Sequence, residues 1–221
     1  MDLRGRLCSE SSVMSAVKAQ KKQVRLNGAD RLDEICKVAA RMICEKGYDG
    51  TSMSEIASAV GITKAGIYHH IEGKRELLFA IMSYGMDSLY RDVIIPARAI
   101  SDPELRLRTI ITNHARLITS NSGPQGNNPV TILVDETAGL MPVHRRKVNQ
   151  RKRSYVDMIR QTLTELRDEG KLRDVDITAA SFSLLGMIIW LSRWYNPRGR
   201  LTPDQVAEDI TRIALGGLLR C

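Results

Sequence analysis

The chain has 221 residues, 43% of them hydrophobic, with a formal net charge of +8 at pH 7. That length suits a short module plus a larger second domain, and the positive balance favours a nucleic-acid partner. Apolar residues recur mostly at helical spacing, so an all-helical fold is expected.

Residues 1–28 hold six basic and two acidic side chains, among them Lys18, Lys21, Lys22 and Arg25. This flexible basic arm either reaches DNA phosphates or is a solvated leader. A first helix is expected over about 29–46, with Leu32, Ile35, Ala39, Met42 and Ile43 on its packing face and Gly47 ending it. Residues 51–78 then read as two short helices joined by a turn. Ile56, Ala57 and Val60 form an inward face, Gly61 supplies a positive φ, and Thr63 caps the second helix. A fourth helix runs from Lys74 to about Ile94, where Pro96 is expected to stop it.

The pattern from about Arg31 to Leu78 resembles the TetR family of bacterial transcriptional regulators. The matching residues are Gly47-Tyr48, Thr51-Ser52-Met53, Ile56-Ala57, Val60-Gly61-Ile62, Ile67-Tyr68-His69-His70 and Lys74-Arg75-Glu76-Leu77-Leu78. Ile71 stands where Phe is usual in the family. The resemblance implies a helix-turn-helix DNA-binding domain at 29–78 and a helical effector-binding and dimerisation domain at 79–221. It also implies a homodimer that reads double-stranded operator DNA and is released by a small molecule. Thr63, Lys64, Ala65, Gly66 and His69 are then expected near base edges. Thr51, Ser52, Tyr68, His70 and Lys74 are expected at phosphates, with Tyr68 alternatively a core residue. The stretch 29–85 holds seven basic and eight acidic side chains. Affinity must therefore come from a few placed cations and helix ends rather than from a basic surface.

Ser101-Asp102-Pro103-Glu104 starts the next helix, whose stripe is Leu107, Ile110, Ile111, His114, Leu117 and Ile118. Turn formers over 119–129 predict a loop, followed by a helix over 129–139. A long helix runs from about His144 to Glu169, closed by Gly170. Another starts at a cap on Asp176, and a last one starts at the capping box Thr202-Pro203-Asp204-Gln205. By resemblance, the last two helices form a four-helix bundle with a partner subunit, with Leu184, Leu185, Ile188, Ile213 and Leu218 as its seam.

The segment 186–201, GMIIWLSRWYNPRGRL, resembles regulators of fatty-acid and sterol breakdown that respond to acyl-coenzyme A thioesters. An effector group of Trp190, Arg193, Trp194 and Tyr195 follows from that likeness, with a core Trp pair as the alternative. His114, on its apolar stripe, and Arg145 are added to it as candidates, His114 being alternatively a core residue. Arg145 opens a run of six cations, Arg145, Arg146, Lys147, Arg151, Lys152 and Arg153, which either attracts coenzyme A phosphates or is a solvated face.

Catalysis finds no support: there is no nucleophile elbow, phosphate loop or zinc-type spacing, and no metal or cofactor is expected. Cys36 and Cys44 fall on one helix and Cys8 and Cys221 in the tails, a distribution that fits a reduced compartment. The most apolar run, 179–191, falls short of the roughly 20 residues of a membrane span. With no signal-peptide core at the N-terminus, a cytoplasmic location is expected. The competing class is a DNA-binding protein controlled by a protein partner instead of a small molecule.

Overall fold

The computed structural model describes residues 28–120 and 139–220, and among them every regular element is a helix, with no strand. The basic arm, most of the expected 119–129 loop and all but the end of the expected 129–139 helix lie outside the described residues. The chain divides into two units, Met1–Arg31 and Leu32–Cys221, and the second holds the core.

α1 (Gly28–Lys46) leads to the short pair α2 (Met53–Val60) and α3 (Lys64–His70). Both short helices are held by local chemistry. At the start of α2 the Ser52 hydroxyl accepts from the Glu55 N–H at 3.2 Å, while the Glu55 carboxylate accepts from the Ser52 N–H at 2.8 Å. This reciprocal cap satisfies two backbone donors that an eight-residue helix would otherwise leave to water. Gly61 ends α2 at φ +74°, and Ile62 N–H returns to the Ala57 carbonyl at 2.9 Å. Thr63 then caps α3 by accepting from the Gly66 N–H at 3.0 Å. Ile56 and Ile67 are fully buried, fixing the two helices to the core beneath.

α4 (Lys74–Leu89) buries Leu77, Leu78, Ile81, Met82, Met86 and Leu89. Its continuation departs from the expected stop. Pro96 has no N–H for the Asp92 carbonyl, and in α register its ring would strike that carbonyl. The chain widens instead into a π turn over Tyr90–Ile94, with Ile95 N–H bonded five residues back to the Tyr90 carbonyl, and α5 (Ile95–Arg98) passes through the proline. Asn113 Nδ2 donates to the Asp92 oxygen at 3.1 Å, so the carbonyl that Pro96 orphans is satisfied from another helix.

That helix is α6 (Pro103–Ser120), capped by Asp102, whose carboxylate accepts from Leu105 N–H at 2.7 Å. It runs two residues into the stretch expected as loop and packs against α7 (Pro142–Asp168), α8 (Ile177–Trp194) and α9 (Pro203–Leu218). The caps at Asp176 and Thr202 form as the sequence suggests. α8 is 18 residues long with a mean hydropathy of 1.3, enough by length and composition to cross a membrane. Yet Leu184, Leu185, Ile188 and Leu191 are buried within the bundle, so one face of α8 is a core face of this helical domain.

Candidate DNA-reading face and effector domain

The surface of α3 is built by subtraction. Ile67 is taken by the core, and Lys64, Ala65, Tyr68, His69 and His70 are left exposed on a seven-residue helix. Thr63 accepts a backbone N–H and keeps its own hydroxyl proton to donate outward. A Cβ at Gly66 would lie 3.2 Å from Thr63 Oγ1, so glycine keeps this cap tight. Ser52 likewise retains a donor proton beside the N-terminus of α2.

Two expected phosphate contacts look different in space. Lys74 stands at the start of α4 with its Nζ 4.4 Å from the Tyr48 ring centroid and 3.4 Å from the Asp49 carbonyl, which aims it before any ligand arrives. Thr51 requires correction: its side chain is 1% exposed and its hydroxyl donates inward, to the Gly47 carbonyl at 2.9 Å. It closes the end of α1, and its hydroxyl is not presented to a phosphate.

Glu55 was missed as a positioning group, although the spacing Ser52-x-x-Glu55 signals a capping box. Hydrogen bonds from Ser52, with help from Lys46 at 3.1 Å, pull its carboxyl down to about 2. Its charge is thus fixed at the N-terminus of α2, where it complements the helix dipole.

The six expected effector residues do not form one group. Trp190 is 64% and Trp194 48% exposed, sharing with Phe182 the outer face of α8. Arg193 is exposed at the end of the same helix. Tyr195 turns inward past the helix end, buried, with its hydroxyl donating to the Leu201 carbonyl at 3.4 Å. His114 lies in the core, its Nδ1 3.0 Å from the Tyr155 hydroxyl. Burial pushes the imidazole down to about 4 and the phenol up, so both are neutral near pH 7. Arg145 is exposed at the beginning of α7, and the cation run divides: Arg151 bonds Asp87 on α4 at 2.6 Å, and Lys147 lies over the Phe79 ring.

Two open grooves flank these elements. One, of about 550 Å³, is lined by Cys36, Phe79 and Tyr84 among others, and a more polar one of about 470 Å³ by Arg98, Arg106 and Gln161 among others. Neither contains any of the six. Burial holds the Cys36 thiol up at about 12, well away from a reactive thiolate.

The expected dimer seam also needs correction. Leu184, Leu185 and Ile188 are buried inside the subunit and Leu218 is half-buried, whereas Ile213 is 61% exposed. α8 is apolar all round, so its sequence does not reveal which side faces inward.

Residues 35–81 match the family described as bacterial regulatory proteins of the tetR family, and residues 101–218 match its tetracyclin repressor-like C-terminal domain. The chain is 28% identical over 200 residues to the HTH-type transcriptional repressor KstR2 of Mycobacterium tuberculosis, covering 86% of this chain and 94% of the relative. It is 30% identical over 198 residues to the HTH-type transcriptional activator FasR of Mycolicibacterium smegmatis, covering 88% and 85%. Among solved structures, AibR in complex with isovaleryl coenzyme A and operator DNA superposes with a TM-score of 0.74 at 40% identity, covering 83% of this chain and 97% of AibR. A helix-turn-helix held by local caps, in front of a helical domain whose family match spans more than half the chain, identifies this protein as a DNA-binding transcriptional regulator of the TetR family.

Proposed function

We propose that the protein is a homodimeric repressor that leaves a palindromic operator when an acyl-coenzyme A thioester binds its C-terminal domain. The observation that carries this reading is the 40% identity to AibR, a chain crystallised with both isovaleryl coenzyme A and operator DNA. Repression accords with the KstR2 likeness, while FasR shows that a relative of similar identity activates.

On the DNA side, Lys64, Ala65 and His69 face base edges, Lys64 donating to guanine N7 and O6 and Ala65 touching a thymine methyl. Ser52, His70 and Lys74 hold phosphates and set the register. A single seven-residue reading helix touches too few bases to select a site in a genome. A two-fold pair reads half-sites roughly 34–36 Å apart, or a multiple of that. Pairing is supported by the outer face of α8 and α9, where Phe182, Trp190, Trp194 and Ile213 leave apolar area that a lone subunit exposes to water.

Control runs through α4. Its N-terminus carries Lys74 at the reading head, and the π turn that continues its far end is bonded through Asp92 to Asn113 on α6, the helix that also carries His114. An effector that displaces α6 changes the tilt of α4 and hence the spacing of the two heads. To move the population from 1:99 to 99:1 the ligand must favour the released geometry by about 5.5 kcal/mol.

The test is to select DNA fragments with the purified protein and then titrate the complex with a series of acyl-coenzyme A esters. Enrichment of a palindrome and its release by one chain-length class is expected. An enriched operator indifferent to every ester would remove the effector half and favour control by a protein partner.

A further inference from the structure

The cations at the start of α7 remain unaccounted for. Three contacts place this helix end beside the reading head. His144 stacks on Phe79 of α4 with ring centroids 3.9 Å apart, and its Nδ1 lies 3.6 Å from Glu76. Seven residues further along α7, Arg151 meets Asp87, further along α4 in the same sense. The two helices therefore run side by side in the same direction, and their N-termini lie at one end of the molecule. His144 sits roughly 5 Å along the α4 axis from Lys74, at 1.5 Å per residue.

The residues just before α7 close the gap. A Cβ on Gly139 would lie 2.9 Å from Leu78 Cδ2 and 3.2 Å from Tyr48 Cε1, so any larger residue would have to push those side chains aside. Tyr48 is the ring beneath Lys74 Nζ, so the entry to α7 and the expected phosphate-binding lysine share one support.

The chemistry exposed there is cationic. No acid occurs from Pro142 to Val156, and Met141 offers no side-chain cap to the first turn of α7. Arg145 and Arg146 are exposed and have no ion-pair partner among the described residues, in contrast to Arg151 and Lys147, which are engaged with α4.

We propose that Arg145 and Arg146 form a second DNA-backbone contact, made by the C-terminal domain, which extends the reading face past Lys74 to phosphates flanking each half-site. The inference rests on the DNA-binding reading above. It explains how a near-neutral reading module gains affinity, and it gives the effector domain its own hold on DNA, so a shift of α7 against α4 loosens both contacts together. Guanidinium groups suit the role because they grip phosphate oxygens in a fork and stay charged.

The test is the salt dependence of binding to a selected operator and to random duplex. It compares the wild-type chain, Arg145→Ala/Arg146→Ala, Arg145→Glu/Arg146→Glu, and, as a control, Arg167→Ala near the other end of α7. Each lost phosphate contact removes about 0.9 from the slope of log K against log salt, so the double alanine variant should flatten it by roughly 2 per subunit. Binding to both DNAs should weaken roughly tenfold or more at moderate salt, further for the glutamate variant, with melting temperature and sequence preference unchanged. An unaltered slope, or an equal loss in Arg167→Ala, would overturn the inference while leaving DNA binding itself intact. So would a loss of coenzyme A affinity without any change in the DNA slope. No binding by the wild-type chain to any duplex would sink the underlying reading instead.

Discussion

In the reading head, each cap is made by a residue three positions from the backbone it holds: Ser52 with Glu55, and Thr63 with Gly66. In the C-terminal domain such caps recur at Asp102, Asp176 and Thr202, but polar joints there also bridge long separations, 21 residues from Asp92 to Asn113, 41 from His114 to Tyr155 and 59 from Arg106 to Glu165. The first region carries its instructions in its own sequence and can keep its shape while being moved. The second is held by pairs that depend on how whole helices are placed, and a ligand acting between helices works on such joints.

The contrast is broken most directly at Ile67, the buried side chain of α3. Ile67→Ala should cost about 2–5 kcal/mol and abolish operator binding by releasing the reading helix from its support. Binding by gel shift, beside a melting curve, measures both effects. Retained operator binding would show that α3 does not need this anchor.

The C-terminal domain should respond to acid. His114 is held near 4 when folded against 6.5 as its ordinary value, so the unfolded chain takes up the proton first as pH falls. Stability present above about pH 6.5 is lost progressively down to about pH 4, at most about 3 kcal/mol from this group. Melting temperatures across that range should fall in the wild-type chain and fall less in His114→Phe. Equal slopes would show that the ring is not dry.

A subtler separation is expected from Asn113→Ala. It leaves the Asp92 carbonyl without its side-chain donor at the π turn, a loss of about 1–3 kcal/mol. Operator affinity without effector should change little, whereas the effector concentration needed for release should shift several-fold. A variant with unchanged release would cut α6 out of the relay.

The smallest effect belongs to a cap. Ser52→Ala should destabilise α2 by about 1 kcal/mol and weaken DNA binding modestly, since it removes both the cap and the proposed phosphate donor. Ser52→Asp keeps a capping oxygen but adds a negative charge. It should restore melting temperature and not DNA binding, and parallel recovery of both would assign Ser52 a purely structural role.

How much of this was legible in the sequence follows the range of each interaction rather than the region it lies in. The reading helix, its turn at Gly61 and the caps at Thr63, Asp176 and Thr202 are short-range events that residue spacing announces. Pro96 misleads, because the device that accommodates it is a π register completed by Asn113 from another helix. Thr51 misleads because a hydroxyl beside a DNA-facing helix can turn either way, and here it closes α1. Along α8, Trp190 and Trp194 share a face by helical period, while Tyr195 lies beyond the helix end and turns in, so neighbours in sequence become strangers in space. Leu184, Leu185 and Ile188 went to the core and Phe182 to the outside for a related reason, since a helix apolar on every side carries no sign of which side has a partner.

The most direct measurement is the affinity of the purified dimer for its selected operator as each of a series of acyl-coenzyme A esters is added. The account predicts a palindromic site bound by two subunits and released by at least one chain-length class, with a corresponding rise in melting temperature. An operator complex unmoved by every ester, with no thermal shift, would contradict it.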